Sequence, residues 1–222
     1  MFETIAKIML WLILWFSVWL IFYLLTDKKM NYVEKYRQTA GFFFLVLILI
    51  ILIFHNDLYF LIKPKFQIFP FACLFLLFVF NFIAYRYVGL FFPNYKKAFE
   101  LDSTLYFAKF DHKYLFSKSF EILYQQVMIS LLSVWLANSG LSFLAIVFIF
   151  SVIFGWGHIP LFFYSAKSVS IFFLIAAIIS AFVFPFLILK VEWGIIYSYI
   201  FHWIFYILAG FIFLKNTKNL AD

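Results

Sequence analysis

Three ionisable side chains lie inside hydrophobic runs of this 222-residue sequence: Glu121, His158 and His202. An ionisable group costs about 3 kcal/mol to insert into membrane hydrocarbon, so each is by default a candidate for function. A carboxylate and two imidazoles from three packed helices suit hydrolysis in two ways. They could hold a catalytic Zn²⁺ with one position open to water. Alternatively, Glu121 could act as general base on a water while the imidazoles hold that water or stabilise the oxyanion.

The same residues also have interpretations without hydrolysis. An intramembrane histidine often serves only as a hydrogen-bonding partner between helices, and Glu121 could pair with Lys118. A second alternative is a membrane cytochrome in which His158 and His202 are the axial ligands of a b-type haem. A transporter also uses buried polar groups, although the sequence contains no inverted repeat.

The composition places these residues in a membrane protein. Hydrophobic residues make up 67% of the chain, Phe alone occurs 37 times, and charged residues are only 12%. Soluble domains are about half apolar and a quarter charged. The single cysteine, Cys73, excludes a disulfide framework or a thiolate metal cluster within one chain. The net charge of +7 resides mostly in short loops between apolar runs, so we expect membrane lipid as a partner and no nucleic acid.

The spacing of apolar runs predicts an all-α polytopic membrane protein with about seven transmembrane helices. A helix needs about 20 apolar residues to cross the hydrocarbon core. The second run is short and is followed by polar residues, which leaves open whether it crosses. The predicted spans are Ile5 to Leu25, Ala40 to Phe54, Ile68 to Tyr85, Ser119 to Ala137, Leu141 to Phe163, Ser170 to Leu189 and Val191 to Phe213.

The predicted organisation has three parts. Residues 1–118 hold the N-terminal helices and a basic, aromatic loop from Phe91 to Lys118, which suits the membrane interface. Residues 119–213 form a four-helix core in the C-terminal half, in which short connections favour antiparallel neighbours. Residues 214–222 are a short tail.

The loops predict the orientation of the chain in a cell (inner) membrane. Most of the 17 Lys and Arg residues fall on the side of the long loop and the C-terminus. By the positive-inside rule this side is cytoplasmic. With Glu121 in the first turn of its span, all three candidate residues then fall in the cytoplasmic half of the bilayer.

The residues around the three candidates form motifs whose order resembles a family. The chain reads Phe120-Glu121, with Gln125 one turn later, then Phe154 four residues before His158, and finally His202 with Tyr206 four residues on. This order is similar to the CPBP or Abi family of intramembrane proteases, relatives of the type II CAAX prenyl endopeptidases. That family carries Glu-Glu-x-x-x-Arg, then Phe-x-x-x-His, then His-x-x-x-Asn/Asp two spans later.

The resemblance implies a divergent intramembrane endopeptidase acting on a peptide or membrane protein near the cytoplasmic face. It implies Glu121, His158 and His202 as catalytic residues or as ligands of a bound zinc, with Gln125, Phe154 and Tyr206 in support. Phe120 replaces the leading Glu, Gln125 the Arg, and Tyr206 the final Asn or Asp. These replacements favour the alternative of a degenerate, non-catalytic homologue that acts as a membrane binding or immunity protein.

Overall fold

A computed structural model describes residues 2–25, 32–61, 67–91, 112–159, 162 and 167–217, and contains no strand among them. Short helical turns at His55–Leu58 and Tyr59–Leu61 follow the second long helix. The polar residues after that helix therefore form a turn instead of continuing the span. The long helices are α1 Phe2–Leu25, α2 Tyr36–Ile53, α3 Ile68–Phe91, α4 His112–Asn138, α5 Phe143–Trp156, α6 Lys167–Lys190 and α7 Gly194–Thr217.

Six of these helices are long and apolar enough to cross a membrane, which confirms an all-α, multi-pass membrane protein. The exception is α5, whose 14 residues span about 21 Å at the usual rise. The prediction of a continuous span from Leu141 to Phe163 is therefore too long. The Gly157 N–H still donates four residues back, to Ile153, but the N–H groups of His158 and Ile159 donate three residues back and form the turn that ends the helix.

The central helix is α4, in which 83% of the most apolar window is buried. It also has the lowest mean hydropathy of the six candidate spans, 1.4. The two facts fit together, because a helix with many polar side chains can lie in a membrane only when other helices surround it. Its buried polar side chains are Ser117, Lys118, Glu121, Gln125, Gln126, Ser130 and Ser133.

The neighbours of α4 alternate in direction. α1 is antiparallel to it, since Thr4 Oγ1 lies 2.8 Å from Ser139 Oγ. α2 is parallel to it, since the Tyr36 ring at its start lies 6.1 Å from that of Phe116 and the Phe54 ring after its end lies 5.3 Å from that of Trp135. α7 is antiparallel to it, with Tyr206 beside Lys118. The helix ends therefore form two groups, one at each side of the bundle.

We call the side where α2, α4 and α6 begin the basic end. The end of α3 reaches it, since the Tyr85 and His112 rings are 5.8 Å apart. The start of α6 reaches it too, since the Phe173 ring lies 6.3 Å from that of Tyr206. Lysines and arginines on the described helices and turns near this end are Lys35, Arg37, Arg86, Lys113, Lys118, Lys167 and Lys215.

One boundary changes the position of a candidate residue. The fourth span was predicted to begin at Ser119, but α4 begins at His112. Glu121 therefore lies in the third turn, about 13 Å along the helix, and not in the first. The helix starts earlier because Tyr114, Ser117 and Lys118 are buried against other parts of the protein instead of facing solvent. The remainder of the predicted loop, residues 92–111, lies outside the described residues.

Candidate functional site

Glu121 is buried, with 1% of its surface exposed, and one of its oxygens is held by two donors on the same helix. Oε1 accepts a hydrogen bond from Lys118 Nζ at 2.6 Å and another from Gln125 Nε2 at 2.8 Å. The α-helical spacings of three and four residues place these side chains on one face. Oε2 is buried and has no hydrogen-bond partner among the described residues.

Lys118 is equally buried, and its ammonium group lies against two tyrosine rings. Nζ is 4.1 Å from the ring centroid of Tyr206 on α7 and 5.1 Å from that of Tyr32, in the turn before α2. Cation–π contacts strengthen when the cation is removed from water. Burial, and then the negative charge of Glu121, raises the pKa of the Tyr32 phenol, which keeps it protonated. The ion pair is thus enclosed by α4, α7 and the α1–α2 connection.

His202 lies on the face of α7 that packs against α4. Its Nδ1 is 2.7 Å from Gln126 Nε2, and the Oε1 of the same amide accepts a hydrogen bond from Ser198. Because Ser198 fixes the amide orientation, Gln126 donates to Nδ1, and a neutral imidazole then carries its proton on Nε2. The ring stacks on Tyr206, with centroids 5.3 Å apart. Tyr206 therefore contacts both His202 and Lys118, and joins the imidazole to the ion pair.

His158 is held within its own segment. It lies in the turn after α5, where Nδ1 is 2.8 Å from the carbonyl oxygen of Phe154. A carbonyl only accepts, so Nδ1 carries the proton and Nε2 presents a lone pair. The Phe154 ring packs against the imidazole at 4.9 Å and against Phe184 at 6.0 Å, and Phe184 lies 5.5 Å from His202. His158 and His202 are thus connected through aromatic rings.

The positions of the potential metal-ligating side chains give no support for a metal centre. Among the described residues, no group of three His, Cys, Asp or Glu side chains is placed to hold a metal ion. Glu121 Oε1 is occupied by Lys118 and Gln125, and Nδ1 of each histidine is hydrogen-bonded. Zinc binding by Glu121, His158 and His202 stays a prediction, which elemental analysis of the purified protein would test.

The predicted supporting residues fall into two groups. Gln125 and Tyr206 contact the Lys118–Glu121 pair or His202, and Phe154 holds His158 through its backbone. Phe120 does not join them. It packs against Phe44 on α2, on a different face of α4 from Glu121. The position that aligns with the leading Glu of the family motif therefore faces away from this cluster.

Sequence reasoning missed several residues of the site. Lys118 was considered as a partner of Glu121 only in the interpretation without hydrolysis, and was not counted among the site residues, although its spacing places both side chains on one helix face. Tyr32 and Ser198 carried no local signal, because their contacts depend on how distant helices pack. Gln126 lies outside the motif residues named from the sequence, yet it is the residue that orients His202.

No protein-family model matches the chain, and comparisons with curated proteins and with solved structures likewise found no match. The resemblance to the CPBP or Abi proteases therefore depends on the order of the motifs alone.

Proposed function

We propose that this protein is an intramembrane endopeptidase that uses Glu121 as general base near the basic end of the bundle. One observation carries the proposal. Lys118 and Gln125 hold one oxygen of Glu121, while Oε2 is buried without a hydrogen-bond partner in the described part of the chain. A general base needs a fixed carboxylate with an oxygen available to a water molecule.

The proposed reaction uses protein groups only. Glu121 Oε2 takes a proton from water, and the water oxygen attacks the carbonyl carbon of a peptide bond. His202 donates a hydrogen bond from Nε2 to the resulting oxyanion, while Nε2 of His158 accepts a hydrogen bond from the second O–H of the water, whose proton stays on the oxygen. Glu121 then passes its proton to the leaving nitrogen as the C–N bond breaks and the oxyanion collapses to a carbonyl, which gives a carboxylic acid and an amine. Gln126 acts as a positioning residue, because it sets which nitrogen of His202 carries the proton.

Replacing Glu121 tests this role. In cells that hold equal amounts of folded Glu121→Gln and wild-type protein, the protein termini produced by the wild type should fall at least about 100-fold in the variant, the usual contribution of a general base. Quantitative mass spectrometry of membrane-protein termini measures this. Glu3→Gln is the matched control, because Glu3 also pairs with a lysine but its side chain is 81% exposed. Equal cleavage by Glu121→Gln and wild type would contradict the proposal.

The orientation belongs to the same proposal, with the basic end in the cytoplasm of a cell whose inner membrane holds the protein. The basic residues on that side support it. In a Cys73→Ser background, an impermeant maleimide applied to intact spheroplasts should label Lys190→Cys and spare Lys167→Cys. Permeabilised spheroplasts should label both. Labelling of Lys167→Cys before permeabilisation would reverse the orientation.

A second candidate is a non-catalytic homologue that binds other membrane proteins, for example an immunity protein. The observation that favours it is the 2.6 Å contact in which Lys118 neutralises Glu121. Such a protein would keep its cellular phenotype in the double variant Lys118→Met/Glu121→Gln, which removes the carboxylate without leaving a buried charge unpaired. It would lose the phenotype in a variant that disrupts helix packing, such as Gly194→Ala. An endopeptidase would lose it in both variants.

A further inference from the structure

A groove of about 530 Å³ lies between the first turns of α2 and the start of α4, at the basic end. Its walls are aromatic, with Phe120 packed against Phe44 at 5.6 Å and against Phe116 at 5.3 Å. Phe44 and Phe116 are 45% and 49% exposed, so the groove opens toward the surrounding bilayer. Gly41 forms part of the lining, and nothing lies within 4 Å of the position that a Cβ there would take.

The mouth of this groove is positively charged. Arg37 lines it, and its Nε donates a hydrogen bond to the Tyr36 hydroxyl at 2.9 Å. Lys113 Nζ lies 5.7 Å from the centroid of the same Tyr36 ring. Within the described residues no carboxylate forms an ion pair with Arg37. The two terminal nitrogens of the guanidinium group therefore remain as donors for an anion.

We propose that this groove binds an acidic glycerophospholipid from the bilayer. One acyl chain would lie over Gly41 and along the Phe44 and Phe116 rings, and the phosphate would contact Arg37. An apolar channel open to lipid, with cations at the level where a helix begins, matches the chemistry of a phospholipid. Basic pockets between transmembrane helices bind acidic headgroups in this way. The lipid site does not depend on the proposed endopeptidase activity, because none of the residues that line the groove forms a hydrogen bond with Glu121 or His202.

Competition between two lipids tests whether the positive charge of Arg37 selects an acidic headgroup. Protein exchanged into equimolar phosphatidylglycerol and phosphatidylcholine should retain phosphatidylglycerol about fivefold over phosphatidylcholine in native mass spectrometry, the effect of one basic side chain. Arg37→Gln should lower this ratio severalfold, with the remaining preference due to Lys113. Arg86→Gln, which removes an exposed arginine from α3, should leave the ratio unchanged. Equal retention of both lipids by the wild type, or the same ratio in Arg37→Gln and wild type, would overturn the proposal.

A larger side chain at Gly41 tests whether a lipid acyl chain occupies the groove. Gly41→Leu should reduce retention of both lipids severalfold, since its side chain enters open space. Leu45→Met, at a position 63% exposed one turn away, should retain both lipids normally. In the wild type, phosphatidylglycerol with a photoreactive acyl chain should label peptides that contain residues 36–44 and 116–120. Labelling spread evenly over the other helices, or unchanged retention in Gly41→Leu, would show that no such site exists.

Discussion

Lys118→Met should lower the free energy of unfolding by about 3–5 kcal/mol, because it leaves the carboxylate of Glu121 buried without its cation. Both side chains of the pair have only 1% of their surface exposed. Gln125 would remain as the one donor to Glu121 among the described residues. An amide cannot replace the charge of an ammonium group, so most of the loss should persist. Reversible unfolding in mixed micelles provides the measurement.

A double-mutant cycle separates the ion pair from the packing of the lysine stem. Lys118→Met combined with Glu121→Gln removes both charges and should regain most of the stability, because a neutral pair costs less to bury than a single charge. Lys7→Met is the matched surface control. It breaks the Lys7–Glu3 pair at 2.9 Å, whose glutamate is 81% exposed, and should cost less than about 1 kcal/mol. A Lys118→Met protein as stable as Lys7→Met would refute the buried ion pair.

Gly194→Ala is expected to cost about 3 kcal/mol, because the turn between α6 and α7 has no room for a side chain. A Cβ at Gly194 would lie 1.7 Å from the carbonyl oxygen of Leu187 and 2.4 Å from its carbonyl carbon. These are backbone atoms, so the two helices would have to separate. The change would also move the start of α7, which carries Ser198 and His202, relative to α4.

Gly41→Ala provides the control for this prediction. Gly41 lies inside α2, and a Cβ there would meet nothing within 4 Å. Alanine is the better helix former by about 1 kcal/mol, so this variant should be slightly more stable than the wild type. Thermal unfolding of both variants in one detergent measures the contrast. If Gly194→Ala unfolded at the same temperature as Gly41→Ala, this would contradict the close approach of α6 to Gly194.

The fold could be predicted largely from hydropathy, and the site only in part. Apolar runs identified the helices because each must cover the hydrocarbon core, whatever its neighbours are. The start of α4 was misplaced because the types of Tyr114 and Lys118 suit a membrane interface, whereas Tyr32 contacts both residues and Tyr206 also contacts Lys118. The motif residues Glu121 and His202 were identified from type and order. Their partners Tyr32 and Ser198 depend on packing between segments far apart in the chain, which a single sequence does not encode locally.

The low hydropathy of the central helix has a consequence for biogenesis. α4 is synthesised before α7, so it enters the bilayer before the helix that covers its polar face exists. The Lys118–Glu121 pair lies within one helix and can insert as a neutral unit. Gln126 has no such local partner, since its side-chain hydrogen bonds are to Ser198 and His202. Nascent chains that stop before α7 should therefore expose an unsatisfied amide to lipid and be degraded by membrane quality-control proteases.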